Sequence, residues 1–313
     1  MNVLYLFPKQ LWDTKMSAGR RHYADALDRQ PGVSVKVWGP GWPGFDSGLS
    51  LAQCIIESGY NADALWLYKP EDIKGLRECE IPKFCCYNEC WPHIPGKALE
   101  EVNSYGADLV IHHHENDASC FDGFNGKVCH IPHGADKETF WCDTPLSERT
   151  VHSILTGVQS PEIYPLRARY ANLARSGTIP CVIRNHPGYR LKGLQNCDKQ
   201  TNQYAYSLKS CKISLCCTSK YRYLLAKIVE SMLAGCLVVT DAADDSEFEK
   251  IRPFVIEVSH EMSDRELANT INTAIESGSY GQELAEKGRQ YAEKHLTTDV
   301  YAERLVREIQ SIL

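Results

Sequence analysis

Short apolar runs alternate with amphipathic stretches from one end of the chain to the other. In the first half the runs fall at 2–7, 33–38, 64–68, 83–87, 109–112 and 128–131. Helix-length segments such as 18–29 and 96–105 separate them. Apolar strands spaced by helices predict βαβ units and a parallel sheet. The alternation then restarts. Strands are predicted at 151–156, 181–184, 213–217, 237–240 and 254–258. Helices are predicted at 164–175, 203–209, 223–234, 264–277, 281–295 and 299–312. The polar, aperiodic stretch 133–150 between the halves reads as a linker.

The predicted fold is α/β, with two Rossmann-like parallel-sheet domains facing a cleft. The first covers 1–140 and the second 148–297, and the last helix, 298–313, returns to pack on the first. In open α/β sheets, ligands bind beyond the carboxyl ends of the strands. The segments that follow strands are therefore the candidates: 7–19, 112–116, 133–136, 157–164, 184–189, 218–223 and 241–245.

Charge narrows the ligand class. The 313 residues include 34 Lys+Arg against 40 Asp+Glu, a net charge of −6, which excludes a general polyanion binder. No apolar run approaches the roughly 18 residues needed to span a bilayer. Residues 1–7 lack the basic region of a signal peptide, so a cytoplasmic location is expected. The 14 cysteines include the neighbouring pairs Cys85–Cys86 and Cys216–Cys217. Adjacent strand residues point to opposite faces, so the cysteines read as reduced thiols acting as small hydrophobes.

Several motifs carry candidate chemistry. Gly39-Pro40-Gly41-Trp42-Pro43-Gly44 matches a dinucleotide-binding pattern. The prolines remove donors that pyrophosphate needs, so the stretch reads as a rigid loop and argues against a dehydrogenase. Gly19 and Arg20, in the Lys15–His22 stretch after the first strand, suit an anion at a helix start. His114 ends a three-histidine run after a strand and is a candidate proton carrier or hydroxyl ligand. Glu89 follows another strand and is a candidate base or acceptor ligand. The spacing of Cys86, Cys90 and His93 is not a standard zinc pairing, and no metal is expected. Arg184 and His186, with Arg190 and Lys192 close behind, place cations where an anion would sit, and an arginine fork suits phosphate.

The sharpest constellation runs from Thr218 to Thr240. Thr218 and Ser219 are candidate caps for the helix that follows, and Gly235 suits its left-handed end. Ser219, Lys220 and Tyr221 form the polar loop before that helix. Lys227 and Glu230, three apart, share one helical face.

These residues resemble the GT-B glycosyltransferases of the "glycosyl transferases group 1" kind, in a spore-maturation-protein-like branch. Four stretches carry the resemblance. Ile131-Pro-His-Gly-Ala-Asp136…Phe140 is similar to the family's domain-crossing segment. Leu155-Thr-Gly157 with Tyr164-Pro-Leu-Arg167 is similar to the opening of the donor domain, and Arg184-Asn-His-Pro187 to its second strand end. Tyr206 through Gly235 is similar to the donor signature. The resemblance implies transfer of a sugar from a nucleotide-diphosphate sugar, with retention of configuration and no cofactor beyond that co-substrate.

It implies roles as well. Glu230 would bond the ribose hydroxyls; Gly157, His186, Ser219, Lys220, Tyr221 and Lys227 would line the donor; Arg184 and Lys192 would neutralise the leaving diphosphate. Gly19, Arg20 and Glu89 would lie on the acceptor side, where a glycan, lipid, protein, small molecule or modified nucleic-acid base remain open. The sequence departs from the family in one respect: the glutamate often found eight residues before Glu230 is Arg222. No Asp-x-Asp pair ends a strand to hold Mg²⁺, so transfer without a metal is expected. A nucleotide-sugar epimerase of the same architecture and a two-lobed binding protein are the alternatives.

Overall fold

The computed structural model describes residues 1–14, 18–68, 70, 73–90, 94, 96–188 and 193–313. They fall into two units. The first comprises Met1–Pro132, Tyr189–Cys197 and Tyr301–Leu313; the second comprises His133–Gly188 and Asp198–Val300.

The first unit holds six strands: β1 (Asn2–Leu6), β2 (Ser34–Trp38), β3 (Ala64–Leu67), β4 (Lys83–Tyr87), β5 (Leu109–His112) and β6 (Lys127–His130). They pair in the order β2-β1-β3-β4-β5-β6, all parallel. The central strands are buried along most of their length because helices cover both faces, which is why they read as continuous apolar runs. The helices end where the sequence supplies caps. Ser50 forms a capping box with Gln53 at the head of Leu51–Ser58, and Gly59 closes it at φ 66°. The end of the chain packs within this unit. Tyr301 stacks on Tyr23 with ring centroids 4.3 Å apart, and Lys127 pairs with Glu308 at 2.5 Å.

The second unit holds β7 (Val151–Thr156), β8 (Cys181–Arg184), β9 (Cys211–Leu215), β10 (Leu237–Thr240) and β11 (Val255–Glu257). Their order is β11-β10-β9-β7-β8, again all parallel. The stretch 133–150, expected as a linker, contains a short helix, Lys137–Phe140, capped by Asp136. Phe140 packs into the core of this unit, so the segment is docked.

Each sheet has an apolar layer on either side. Cys85 lies in one layer of the first sheet and Cys86 packs against the other. Cys216 and Cys217 divide in the same way across the second sheet. All 14 cysteines are free thiols, as their placement among apolar residues predicts. Among the described residues no helix is long and apolar enough to cross a membrane.

Candidate functional site

The strand order of the second sheet reverses between β7 and β9. Ligands of doubly wound sheets bind at that reversal, outside the carboxyl ends of the strands. Gly157 leaves β7 there with φ of 98°, a conformation that favours glycine. A Cβ at Gly157 would stand 3.1 Å from Arg167 Nη1 and 3.1 Å from Lys227 Cε. Two cationic side chains therefore converge on the backbone at the end of β7.

Both cations sit in the first turn of a helix, Arg167 in Pro165–Arg175 and Lys227 in Ala226–Leu233. A cation at that end opposes the helix dipole, and two together repel each other. An anion would reverse both penalties. Arg167 is 3% exposed. Its Nη1 donates to the Val158 carbonyl at 3.0 Å, and its guanidinium lies 4.0 Å over the Tyr164 ring. Its Nε has no hydrogen-bond partner among the described residues. Burial lowers the pKa of Lys227; the Glu230 carboxylate works against this shift and the Arg167 charge with it. His186, just beyond β8, is also held low, first by burial and then by Lys227 and Arg167. Its Nδ1 accepts the Gly188 N–H at 3.0 Å.

Lys227 and Glu230 share a helical face, as their spacing predicts, and Tyr204 links them. The Tyr204 hydroxyl donates to Glu230 Oε2 at 2.7 Å, while Lys227 Nζ lies 4.4 Å from the centroid of the same ring. Burial and the Glu230 carboxylate push the Tyr204 hydroxyl up, so it stays protonated and donates. Oε1 of Glu230 takes no protein hydrogen bond among the described residues.

The loop 218–223 leaves β9 on the other side of the reversal. Ser219 and Arg222 adopt φ of 66° and 56°, which costs a residue with a Cβ. The buried Asp241 carboxylate holds the loop. Its Oδ1 accepts the Thr218 N–H at 2.8 Å; its Oδ2 accepts the Thr218 hydroxyl and His260 Nε2, each at 2.7 Å. The Lys220 N–H donates to Ile163 at 2.8 Å, and Arg222 pairs with Asp244 at 2.6 Å. Lys220 is exposed, with its Nζ 5.0 Å from the Tyr221 ring centroid. Contrary to expectation, Thr218 and Ser219 do not cap the helix. The helix begins only at Ala226 after Leu225, without a side-chain cap, because Asp241 engages Thr218 and Ser219 Oγ accepts the Tyr221 N–H. Gly235 does end it, at φ 68°.

Of the other predicted residues, Arg184 ends β8, where its Nη2 donates to Gln203 at 3.3 Å. Lys192 lies outside the described residues, with Arg190. In the first unit the strand order reverses between β1 and β3. Arg20 lies 4.3 Å over the ring of Tyr68, just after β3, and Gly19 is exposed beside it. Glu89 is half-buried after β4. His114 is fully buried at 0% exposure; burial first, and then His113, His130 and His112, lower its pKa to about 2, so its ring is neutral.

Sequence reasoning passed over Arg167 and Tyr204 as site residues, and held Asp241 only within the candidate segment 241–245. Arg167 had a signal: a basic residue two places after Pro165, in a helix's first turn, stands against the dipole.

No protein-family model and no curated protein matches the chain. Solved structures do. Sucrose-phosphate synthase from Thermosynechococcus elongatus superimposes with a TM-score of 0.65 at 11% identity, over 99% of this chain and 98% of that one. HepE from Anabaena in complex with UDP gives 0.64 at 15% identity, over 99% and 100%. AviGT4, a glycosyltransferase involved in avilamycin A biosynthesis, gives 0.57 at 12%, over 100% and 98%. At such identities the likeness is one of fold: two parallel-sheet α/β domains arranged in sequence as in the GT-B glycosyltransferases.

Proposed function

We propose that the chain is a glycosyltransferase that moves a sugar from a nucleotide-diphosphate sugar to an acceptor, with the donor held by the second unit. The convergence of Arg167 and Lys227 on Gly157, at the reversal of strand order, carries this reading. Glycosyl transfer releases a diphosphate, and preorganised cations that meet the leaving charge are the main contribution a protein can make. Arg167 and Lys227 fill that role with side chains alone, so the reaction needs no resident metal. Glu230, oriented by Tyr204, accepts the ribose hydroxyls through Oε1. Ser219, Lys220 and Tyr221 line the sugar-diphosphate, and Gly19, Arg20 and Glu89 belong to the acceptor side. HepE holds UDP and UDP-glucose on a like fold, which makes UDP the first ligand to try.

The test is thermal unfolding with UDP, GDP, ADP and dTDP, since a ligand of the folded state raises the midpoint by mass action. At least one should raise it, and Gly157→Ala should abolish the rise by straining φ and crowding both cations. No rise with any of them, or with their glucose conjugates, would overturn the reading. Conversion of a nucleotide sugar to an isomer without acceptor would show an epimerase instead.

A further inference from the structure

Outside the residues used above, the first unit brings three metal-ligating side chains together. Cys90 stands in the turn beyond β4, and Asp117 and Cys120 belong to the 3₁₀ helix Glu115–Phe121. A 3₁₀ helix has about three residues per turn, so residues three apart stack on one face. Asp117 and Cys120 are such a pair, and both turn toward Cys90. The two sulfurs and a carboxylate oxygen all lie within 4.8 Å of one another. In a tetrahedral zinc site with Zn–S of ~2.3 Å, two sulfurs stand about 3.8 Å apart. Closing the cluster on an ion therefore requires movements on the order of 1 Å at most.

The surroundings favour a cation. Asp117 is 0% exposed and Cys90 is 8% exposed, while Cys120 is half-buried and gives a way in. The Cys90 N–H donates to Asp117 Oδ2 at 3.1 Å, fixing the carboxylate as outer-shell bonds do at metal sites. Cys211 and Cys236 have sulfurs 3.6 Å apart, but Arg149 Nη1 lies 3.7 Å from Cys236 Sγ, and its charge repels a metal ion. Cys86, considered with Cys90 on sequence grounds, faces the other side of the sheet, where its sulfur takes the Tyr301 hydroxyl at 3.5 Å. His93 lies outside the described residues.

We propose that Cys90, Asp117 and Cys120 bind one zinc-type divalent cation. Binding releases both thiol protons to solvent; the ion, two thiolates and one carboxylate leave a single net negative charge, and water completes the coordination. The ion ties the turn after β4 to the 3₁₀ helix. It is a structural tie, and it stands or falls independently of the sugar-transfer reading.

The test uses the full chain, kept reduced and stripped with a chelator, then titrated with Co²⁺. One equivalent should produce the near-ultraviolet thiolate-to-cobalt absorption band, and Zn²⁺ should displace it. Zn²⁺ should also raise the unfolding midpoint of the parent protein. Cys120→Ser should lose the band and the rise in midpoint, and Asp117→Asn should weaken binding at least about tenfold. Cys236→Ser should retain the band. Circular dichroism of the metal-free variants checks that they fold, and Asp117→Asn serves if Cys120→Ser does not. The proposal is overturned if no band forms or if the band survives in Cys90→Ser/Cys120→Ser.

Discussion

Tyr204→Phe isolates one hydroxyl at the donor site. The change leaves the ring under Lys227, 4.4 Å from Nζ, and removes only the O–H that donates to Glu230 at 2.7 Å. A hydrogen bond to a charged group contributes about 1.5–3 kcal/mol. Glu230 is only half-buried and can recruit water, so the folded state should lose about 1.5 kcal/mol, at the lower end. The effect on ligand has a different origin. Without its tether the Glu230 side chain regains rotamers, and ordering a glutamate costs up to about 2 kcal/mol. Since about 1.4 kcal/mol is a factor of ten, nucleoside-diphosphate affinity should fall roughly tenfold. Glu230→Ala should lose more, because both carboxylate oxygens go. Isothermal titration with the diphosphate that stabilises the parent protein measures both variants. If Tyr204→Phe binds as tightly as the parent while Glu230→Ala does not, the orientation argument is wrong. If neither variant changes affinity, Glu230 does not touch the donor.

Two further outcomes follow from buried groups. His113 is 3% exposed, and burial lowers its pKa from 6.5 to about 4, against the carbonyl of Ile131, which its Nδ1 meets at 3.1 Å. The unfolded chain takes up this proton below pH 6.5 while the folded chain waits until about 4, so stability should fall between those values and then level off, by about 3 kcal/mol from this group. His114 acts in the same direction; urea midpoints against pH should show the decline, and His113→Leu should make it shallower by the share of this group while His114 keeps the rest. Arg149, 5% exposed, donates to the Thr144 carbonyl at 3.0 and 2.9 Å and to the Cys211 carbonyl at 2.9 Å. Arg149→Met leaves both acceptors unsatisfied and should cost about 3 kcal/mol in chemical denaturation, whereas a loss under ~1 kcal/mol would show that the carbonyls find other donors.

Much of the architecture was legible because it rests on local chemistry. Alternation of apolar runs with helix-length segments dictated two parallel sheets, and Gly235 marked a helix end through its tolerance of positive φ. The shared face of Lys227 and Glu230 followed from helical periodicity alone. What escaped depends on contacts between distant segments. Tyr204 reaches Glu230 across 26 residues, and Asp241 reaches Thr218 across 23. No pattern near Thr218 announces that its hydroxyl is engaged, so a capping role was the natural inference. The helix expected from 223 begins at 226 because two residues ahead of it, Ser219 and Arg222, take positive φ without any glycine to signal it. Cys90, Asp117 and Cys120 were likewise unreadable as a group, since only the fold brings the turn to the 3₁₀ helix.

The division of neighbouring cysteines between the two faces of each sheet has a practical use. Cys85 and Cys86 border opposite layers of the first sheet, and Cys216 and Cys217 those of the second. A brief pulse of an alkylating reagent during denaturation, read by mass spectrometry of the two-cysteine peptides, would time the wetting of each side separately. The native chain thus carries four internal clocks for its own disassembly, and no probe has to be engineered.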